Sequence, residues 1–170
     1  AAGSRRAVAE AAWQAFGAGY GLKAHIFRLA GIYGPGRSSL DQVRSGHARR
    51  LIKPDLVLGR IHLEDIVGAV MASIAKPNPG RIYNVTDDEP MPPQDIITYA
   101  CELLGVEAPP ETPYADAEAH LPPIVREFYG DCKRVRNKRL KDELGYTFKY
   151  PTYRDGLRAL LAKEQAKAAE

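Results

Sequence analysis

The stretch Lys23-Ala-His-Ile-Phe-Arg-Leu-Ala-Gly-Ile-Tyr-Gly-Pro-Gly-Arg37 decides the fold. Lys23 to Ala30 is short, rich in bulky apolar residues and free of internal Gly or Pro, which predicts a strand buried on both faces in a parallel sheet. The pattern breaks at Gly31. Gly34-Pro35-Gly36 then forces a turn, because glycine reaches positive φ and proline fixes its own. A helix-compatible segment begins near Ser38. The unit reads as strand, glycine-rich loop, helix. In open α/β sheets ligands bind beyond the carboxyl ends of the strands, which places Gly31 to Arg37 at a candidate site.

Working outward, the segments alternate helix and strand. Ser4 to Phe16 predicts a helix with Ser4 as N-cap and Val8, Ala11, Ala12, Ala15 and Phe16 as its apolar face. Arg6 and Glu10 form an i, i+4 pair on it, and Gly17, Gly19 and Gly21 end it. Ser38 to Leu51 predicts a second helix whose basic end (His47, Arg49, Arg50) suits the dipole. Lys53 to Gly59 reads as a turn and a short strand. Leu63 to Ala75 reads as a helix with Ile66, Val67, Val70 and Ile74 as the buried stripe. Arg81 to Val85 is a further strand. Pro93 opens a helix to Leu104 that Gly105 stops. Val106 to Pro123 reads as an extended, proline-rich connector. Asn137 predicts an N-cap for Lys138 to Leu144, with Gly145 as its stop. A last helix follows Tyr153 to about Lys163, and 164–170 reads as a frayed tail.

Composition bounds the function. The 170 residues suit one domain with a small second lobe, and 45% hydrophobic with 26% charged residues is an ordinary globular mixture. A net charge of +3 is too small to argue for nucleic acid. The basic run Lys133 to Lys141 lacks interleaved aromatics and reads as a solvated helix face, so no nucleic-acid partner is expected. Cys101 and Cys132 show no metal-ligand spacing, nor do His25, His47, His62 and His120, so no metal is expected and a reducing, cytoplasmic setting is. No apolar run approaches the ~18 residues of a membrane span. The first residue is Ala1 rather than Met, which suggests a chain that begins inside a longer product.

Four motifs then occur in an order that resembles one family. Arg28-Leu-Ala-Gly-Ile-Tyr-Gly-Pro-Gly36 resembles its Arg-x-x-Asn-x-Tyr-Gly-Pro segment. Ile61-His-Leu-Glu-Asp65 resembles Ile-His-Val-x-Asp, and Ile82-Tyr-Asn-Val85 resembles its late strand. Asn137 to Gly145 with Asp155-Gly-Leu157 resembles its last helix pair. Together they are similar to the C-terminal half of an extended short-chain dehydrogenase/reductase of the NAD-dependent epimerase/dehydratase family. The resemblance implies an α/β fold: the C-terminal portion of a doubly wound, Rossmann-like parallel sheet (residues 1–31 and 60–86) plus a small, mostly helical substrate lobe (32–59 and 87–163).

It also implies NAD or NADP as cofactor in the complete protein and a sugar-nucleotide-like or other small polar substrate. The glycine-rich phosphate-binding motif is absent from this chain, so the N-terminal half of the same protein is an implied partner. The family's catalytic Tyr-x-x-x-Lys places Ala2 at the tyrosine and Arg6 at the lysine. Ala2 moves no proton, so no catalytic residue is assigned, and Arg6 keeps a positive charge for the nicotinamide ribose or simply pairs with Glu10. Leu29, Ala30 and Gly31 are the implied cofactor contacts, with Gly31 replacing a substrate-binding asparagine. Tyr33, Arg37 and Arg60 are the substrate-binding candidates, the arginines as forks for an anionic group. A non-catalytic, NAD(P)-binding sensor that lost the Tyr/Lys pair is the rival expectation. His62 reads as structural. Phe128 and Tyr129 read as pocket cap or core. The strand Ala24 to Ala30 would lack one neighbour, so homodimerisation through its edge is a further expectation.

Overall fold

The structure is a computed structural model that describes residues 2–130, 132 and 134–169, with the Ala2 side chain excepted. The expectations for Ala1 and Lys133 lie outside the described residues.

The chain opens with α1 (Ala2–Tyr20), which runs through Gly17 and Gly19 and stops only at Gly21, where φ is +66°. It is thus longer than the predicted Ser4–Phe16. Gly17 is tolerated because the chain folds back there: a Cβ would stand 3.1 Å from the Ala24 Cβ. The predicted apolar face is not buried, since Val8 and Phe16 are exposed, as are Trp13 and Tyr20. Glu10 pairs not with Arg6 but with Arg28, whose Nε and Nη2 donate to it at 2.9 and 2.6 Å. This bidentate contact fastens α1 to the following strand.

That strand is β1 (Ile26–Leu29), followed at once by β2 (Gly31–Tyr33). The predicted loop over 31–37 therefore contracts to Gly34–Arg37, a turn closed by two backbone hydrogen bonds with Gly36 at φ +70°. Next come α2 (Ser39–Arg44), β3 (Arg50–Ile52), β4 (Arg60–His62) and α3 (Leu63–Ala75). α2 is half the predicted length. Ser38 and Asp41 build its capping box, and Gly46 at φ +71° ends it before His47, Arg49 and Arg50. Arg50 instead begins a strand. The strand expected after Lys53 reduces to a single bridge, Leu58 to Met91. β5 (Ile82–Val85) and α4 (Pro93–Leu104) follow, with Pro93 in the first turn and Gly105 left-handed at the end, as predicted.

The connector is structured rather than merely extended. It holds β6 (Glu111–Pro113), α5 (Tyr114–Ala117) and a 3-10 turn at Glu118–His120. Then come α6 (Pro123–Gly130), α7 (Lys138–Leu144) and α8 (Tyr153–Ala168). α8 carries the helix past Lys163 into the predicted tail. Asn137 does not cap α7 with its side chain: its Nδ2 donates to the carbonyls of Thr86 and Asp87 and to the Asp88 carboxylate.

Three strand pairs organise the molecule, all parallel: β1 with β5, β2 with β4, and β3 with β6. Three clusters pack around them, and the β2–β4 pair contributes to two. Tyr83, Val85 and Ile61 pack with Ala69 of α3, Leu140 and Leu144 of α7, and Phe148. Tyr33 and Leu40 pack with Ile96, Ile97, Ala100 and Cys101 of α4 and Tyr153, Leu157 and Leu160 of α8. Leu51, Leu56 and Leu58 pack with Tyr114, Leu121 and Tyr129.

The fully buried positions of α3 are Asp65, Ala69 and Ser73; of the predicted stripe Ile66 packs part-buried against the core and Val70 is half-buried, while Val67 and Ile74 are exposed. The reason is Asp65. Its Oδ1 accepts from the Lys149 N–H at 2.7 Å and the Tyr146 hydroxyl at 2.8 Å, and its Oδ2 from the Tyr150 N–H at 3.0 Å. These three donors rotate the helix to put a carboxylate inside. Gly68 lies on the same side, and a Cβ there would collide with the Tyr146 ring.

β1 is not buried on both faces either. Leu29 is 43% exposed, and among the described residues β1 pairs only with β5. The outer edge of β5 differs: Arg139 donates to the Ile82 carbonyl and Asn84 to that of Arg136. Two expectations follow. Light scattering of the isolated chain over a concentration series should show association, with slow amide exchange at Ile26 to Leu29 only in the associated form; a compact monomer at high concentration with those amides protected contradicts this. Replacing Asp65 by Ala leaves two backbone N–H groups and a phenol without an acceptor and should cost about 3 kcal/mol or more in urea unfolding.

Candidate functional site

Val85 ends β5, and Thr86-Asp87 turns back beneath Arg60. The Asp87 N–H donates to the Arg60 carbonyl at 2.7 Å, and Asp87 Oδ1 accepts from the Arg60 N–H at 3.3 Å. This two-way contact holds the start of β4 over the carboxyl end of β5. β4 in turn pairs with β2 in the register Gly31 to Arg60 and Tyr33 to His62. The glycine that ends the long apolar run therefore faces an arginine.

Gly31 makes room for that arginine. A Cβ at residue 31 would stand 2.7 Å from Arg60 Nη1 and 3.2 Å from its Cδ. The guanidinium carbon lies 5.7 Å from the centre of the Phe128 ring on α6. Its Nε is buried without a hydrogen-bond partner. Burial works against the Arg60 charge, while the fields of Tyr129, Asp87 and Tyr33 work for it. A mostly buried guanidinium with no hydrogen-bonded anion is costly to keep, which marks it as a candidate binding group.

The other residues singled out from sequence fall in different surroundings. Leu29 and Ala30 stand at the carboxyl end of β1, with Leu29 open to solvent. Arg6 is exposed on α1. Arg37 is exposed in the Gly34–Arg37 turn. Tyr33 is buried at 4% exposure, and its hydroxyl lies so close to α8 that a Cβ on Gly156 would stand 1.9 Å from it. Burial first, and the Asp87 field next, push the Tyr33 phenol far above the usual range.

His62 is the N-cap of α3: its Nδ1 accepts from the Glu64 N–H at 3.1 Å, so the neutral ring carries its proton on Nε2. The ring is enclosed by Tyr33 and Tyr150. Burial lowers its pKa from the ordinary value. Tyr129 belongs to a core, stacked on Tyr114, whereas Phe128 remains part-exposed over Arg60.

Asp87 is the residue that reading the sequence missed. It is 2% exposed, Oδ2 has no hydrogen-bond partner, and burial pushes its carboxyl up to about 7 against the opposing effect of backbone donors at Arg60 and Glu89. The Asp-Asp-Glu run at residues 87–89 matches no motif and reads as a polar loop. Only the pairing of that loop with β4 takes its first aspartate out of water.

No protein-family profile matches the chain. Over 140 residues it is 29% identical to 3-diazoavenalumate denitrifying reductase of a Streptomyces species, a match covering 78% of this chain and 45% of that protein. A solved structure of a functionally unknown conserved protein from Silicibacter pomeroyi is 52% identical, with a TM-score of 0.88 over 96% of this chain and 56% of that one. The dTDP-glucose 4,6-dehydratase of Bacillus anthracis, solved with NAD, is 18% identical and has a TM-score of 0.69 over 98% of this chain and 52% of that one. The chain thus spans about half the length of the relatives it matches. Other epimerases and dehydratases share the fold over a similar share of their length, two of them solved with NAD or NADPH. The chain has the fold of the C-terminal half of an extended short-chain dehydrogenase/reductase of the NAD-dependent epimerase/dehydratase family.

Proposed function

We propose that this chain is the substrate-binding half of an NAD(P)-dependent oxidoreductase or epimerase-like protein that acts on a sugar-nucleotide-like or other small polar substrate. The observation that carries the reading is the hydrogen-bond-free Arg60 guanidinium beside Gly31, in a fold whose relatives are reductases, epimerases and dehydratases. In this reading residues 1–31 and 60–86 continue the nucleotide-binding sheet, and 32–59 with 87–163 form the substrate lobe.

The nicotinamide end of the cofactor fits Leu29, Ala30 and Gly31. Leu29 offers an open apolar side chain at the carboxyl end of β1, the end at which parallel sheets bind ligands. Arg6, exposed near the start of α1, supplies positive charge toward the ribose. When bound, the nicotinamide accepts or donates a hydride. This chain's residues orient the substrate: Arg60 holds an anionic group, Arg37 stands at the rim, and Tyr33 braces β2 against α8. The pyrophosphate site belongs to the N-terminal half, the principal partner in this reading, and a homodimer is a second association through exposed surfaces.

A second reading is a non-catalytic, NAD(P)-binding sensor. The residues at the family's tyrosine and lysine positions favour it: Ala2 has no hydroxyl to move a proton, and Arg6 stands where the family has a lysine. The two readings part on turnover. A complete protein that binds NADPH but oxidises none over a panel of carbonyl substrates is the sensor.

Calorimetric titration of the isolated chain with NAD and NADP should show no binding, because the helix N-terminus that holds the phosphates is absent. Micromolar affinity would contradict the half-protein reading. In the complete protein, Arg60→Ala should weaken substrate binding by about ten- to a hundredfold, and leave cofactor binding intact. Arg37→Ala, with an exposed side chain, should give the smaller loss. Normal substrate binding by both variants would remove the arginines from the site.

A further inference from the structure

Four polar atoms near the join of β2, β4 and the Thr86-Asp87 turn are buried without a hydrogen-bond partner among the described residues: the Tyr33 hydroxyl, Arg60 Nε, His62 Nε2 and Asp87 Oδ2. Asp87 is tied to Arg60 through its backbone and Oδ1, yet forms no salt bridge with the guanidinium. The cation is thus brought beside an acid and left without a hydrogen-bonded counter-ion. The guanidinium itself occupies the space that the missing side chain of Gly31 leaves, and the half-open Phe128 ring lies over it.

We propose that the Arg60 guanidinium, framed by Gly31, Phe128 and Asp87, is a binding site for a carboxylate carried on a planar, apolar skeleton. This rests on the reading of the cleft as the substrate site and names the class of substrate. The planar fork of an arginine matches the two oxygens of a carboxylate. The exposed Phe128 ring beside the guanidinium offers a flat apolar surface to such a skeleton, and the missing side chain at residue 31 is what lets Arg60 sit there. Leu29, open at the end of β1, supplies a further apolar surface along the same strand line.

Asp87 tunes this site. The charged and titratable groups facing it are Arg60 on β4, Tyr33 on β2 and Glu89 in its own loop. Because burial places its carboxyl near neutrality, it is uncharged at pH 6 and leaves the Arg60 charge available. At pH 8 it is ionised, and a second carboxylate is repelled. Affinity therefore falls as pH rises.

Titration of this chain with benzoate, followed by amide chemical shifts, tests the proposal without any cofactor, so its failure is separable from a failure of the nucleotide-binding reading. Expected are saturable shifts at Gly31, Arg60 and Phe128 at pH 6 and severalfold weaker binding at pH 8. Arg60→Gln should bind about tenfold more weakly or worse, and Asp87→Asn should lose the pH dependence. Gly31→Ala keeps the charge but should weaken binding by displacing the guanidinium, and it decides the matter if Arg60→Gln fails to fold. Absence of binding at pH 6, or benzoate affinity unchanged in Gly31→Ala, overturns the proposal. Tighter binding of inorganic phosphate than of benzoate overturns the assignment to a carboxylate.

Discussion

The carboxylate of Asp65 is the contact on which the arrangement of the other elements depends. It sits in the first turn of α3, where the helix dipole favours negative charge, and is buried from water. Its three donors all come from residues 146–150, the segment between α7 and α8. One side chain therefore fixes how two C-terminal helices meet the sheet. Glu64 adds ion pairs to Lys149 and to Lys163 of α8 on the exposed side. Those surface pairs matter less, because solvent screens them. The buried acceptor matters more, because backbone N–H groups sealed from water need a partner.

With α3, α7 and α8 so placed, the two edges of the β1–β5 pair become unlike. α7 and the residues before it lie along β5: Arg139 donates to the Ile82 carbonyl, and the Asn84 side chain donates to the carbonyl of Arg136. From α1, β1 receives the Glu10–Arg28 fork, and α1 keeps Trp13, Phe16 and Tyr20 in the open. An apolar helix and an unpaired strand edge on one side of a parallel sheet are surfaces that normally lie inside a larger sheet. The similarity to relatives about twice as long agrees with that picture.

The candidate site follows from an exchange of volume. Where a side chain at residue 31 would stand, Arg60 lies instead. The Asp87 turn then holds Arg60 by its backbone while leaving the guanidinium without a hydrogen bond. A cation held in this way is expensive for folding.

The sequence by itself determined the alternation of strands and helices, the stops at Gly105 and Gly145, the length of α3 and the family resemblance. These depend on local chemistry: glycine at positive φ, proline at a first turn, an apolar run too short for a helix. Arg60 was picked out as a candidate because a guanidinium beside a motif suits an anionic group, and its unpartnered Nε is what the structure adds. Only the tertiary structure decided the rest. The rotation of α3 that buries Asp65 depends on donors about eighty residues away in sequence. The shortening of α2 and the pairing of Gly31 with Arg60 depend on which strands meet. Asp87 looked like one more loop carboxylate, and its burial depends on a turn closing under β4. Burial and partnership are properties of neighbours, and for these residues the neighbours are far apart along the chain.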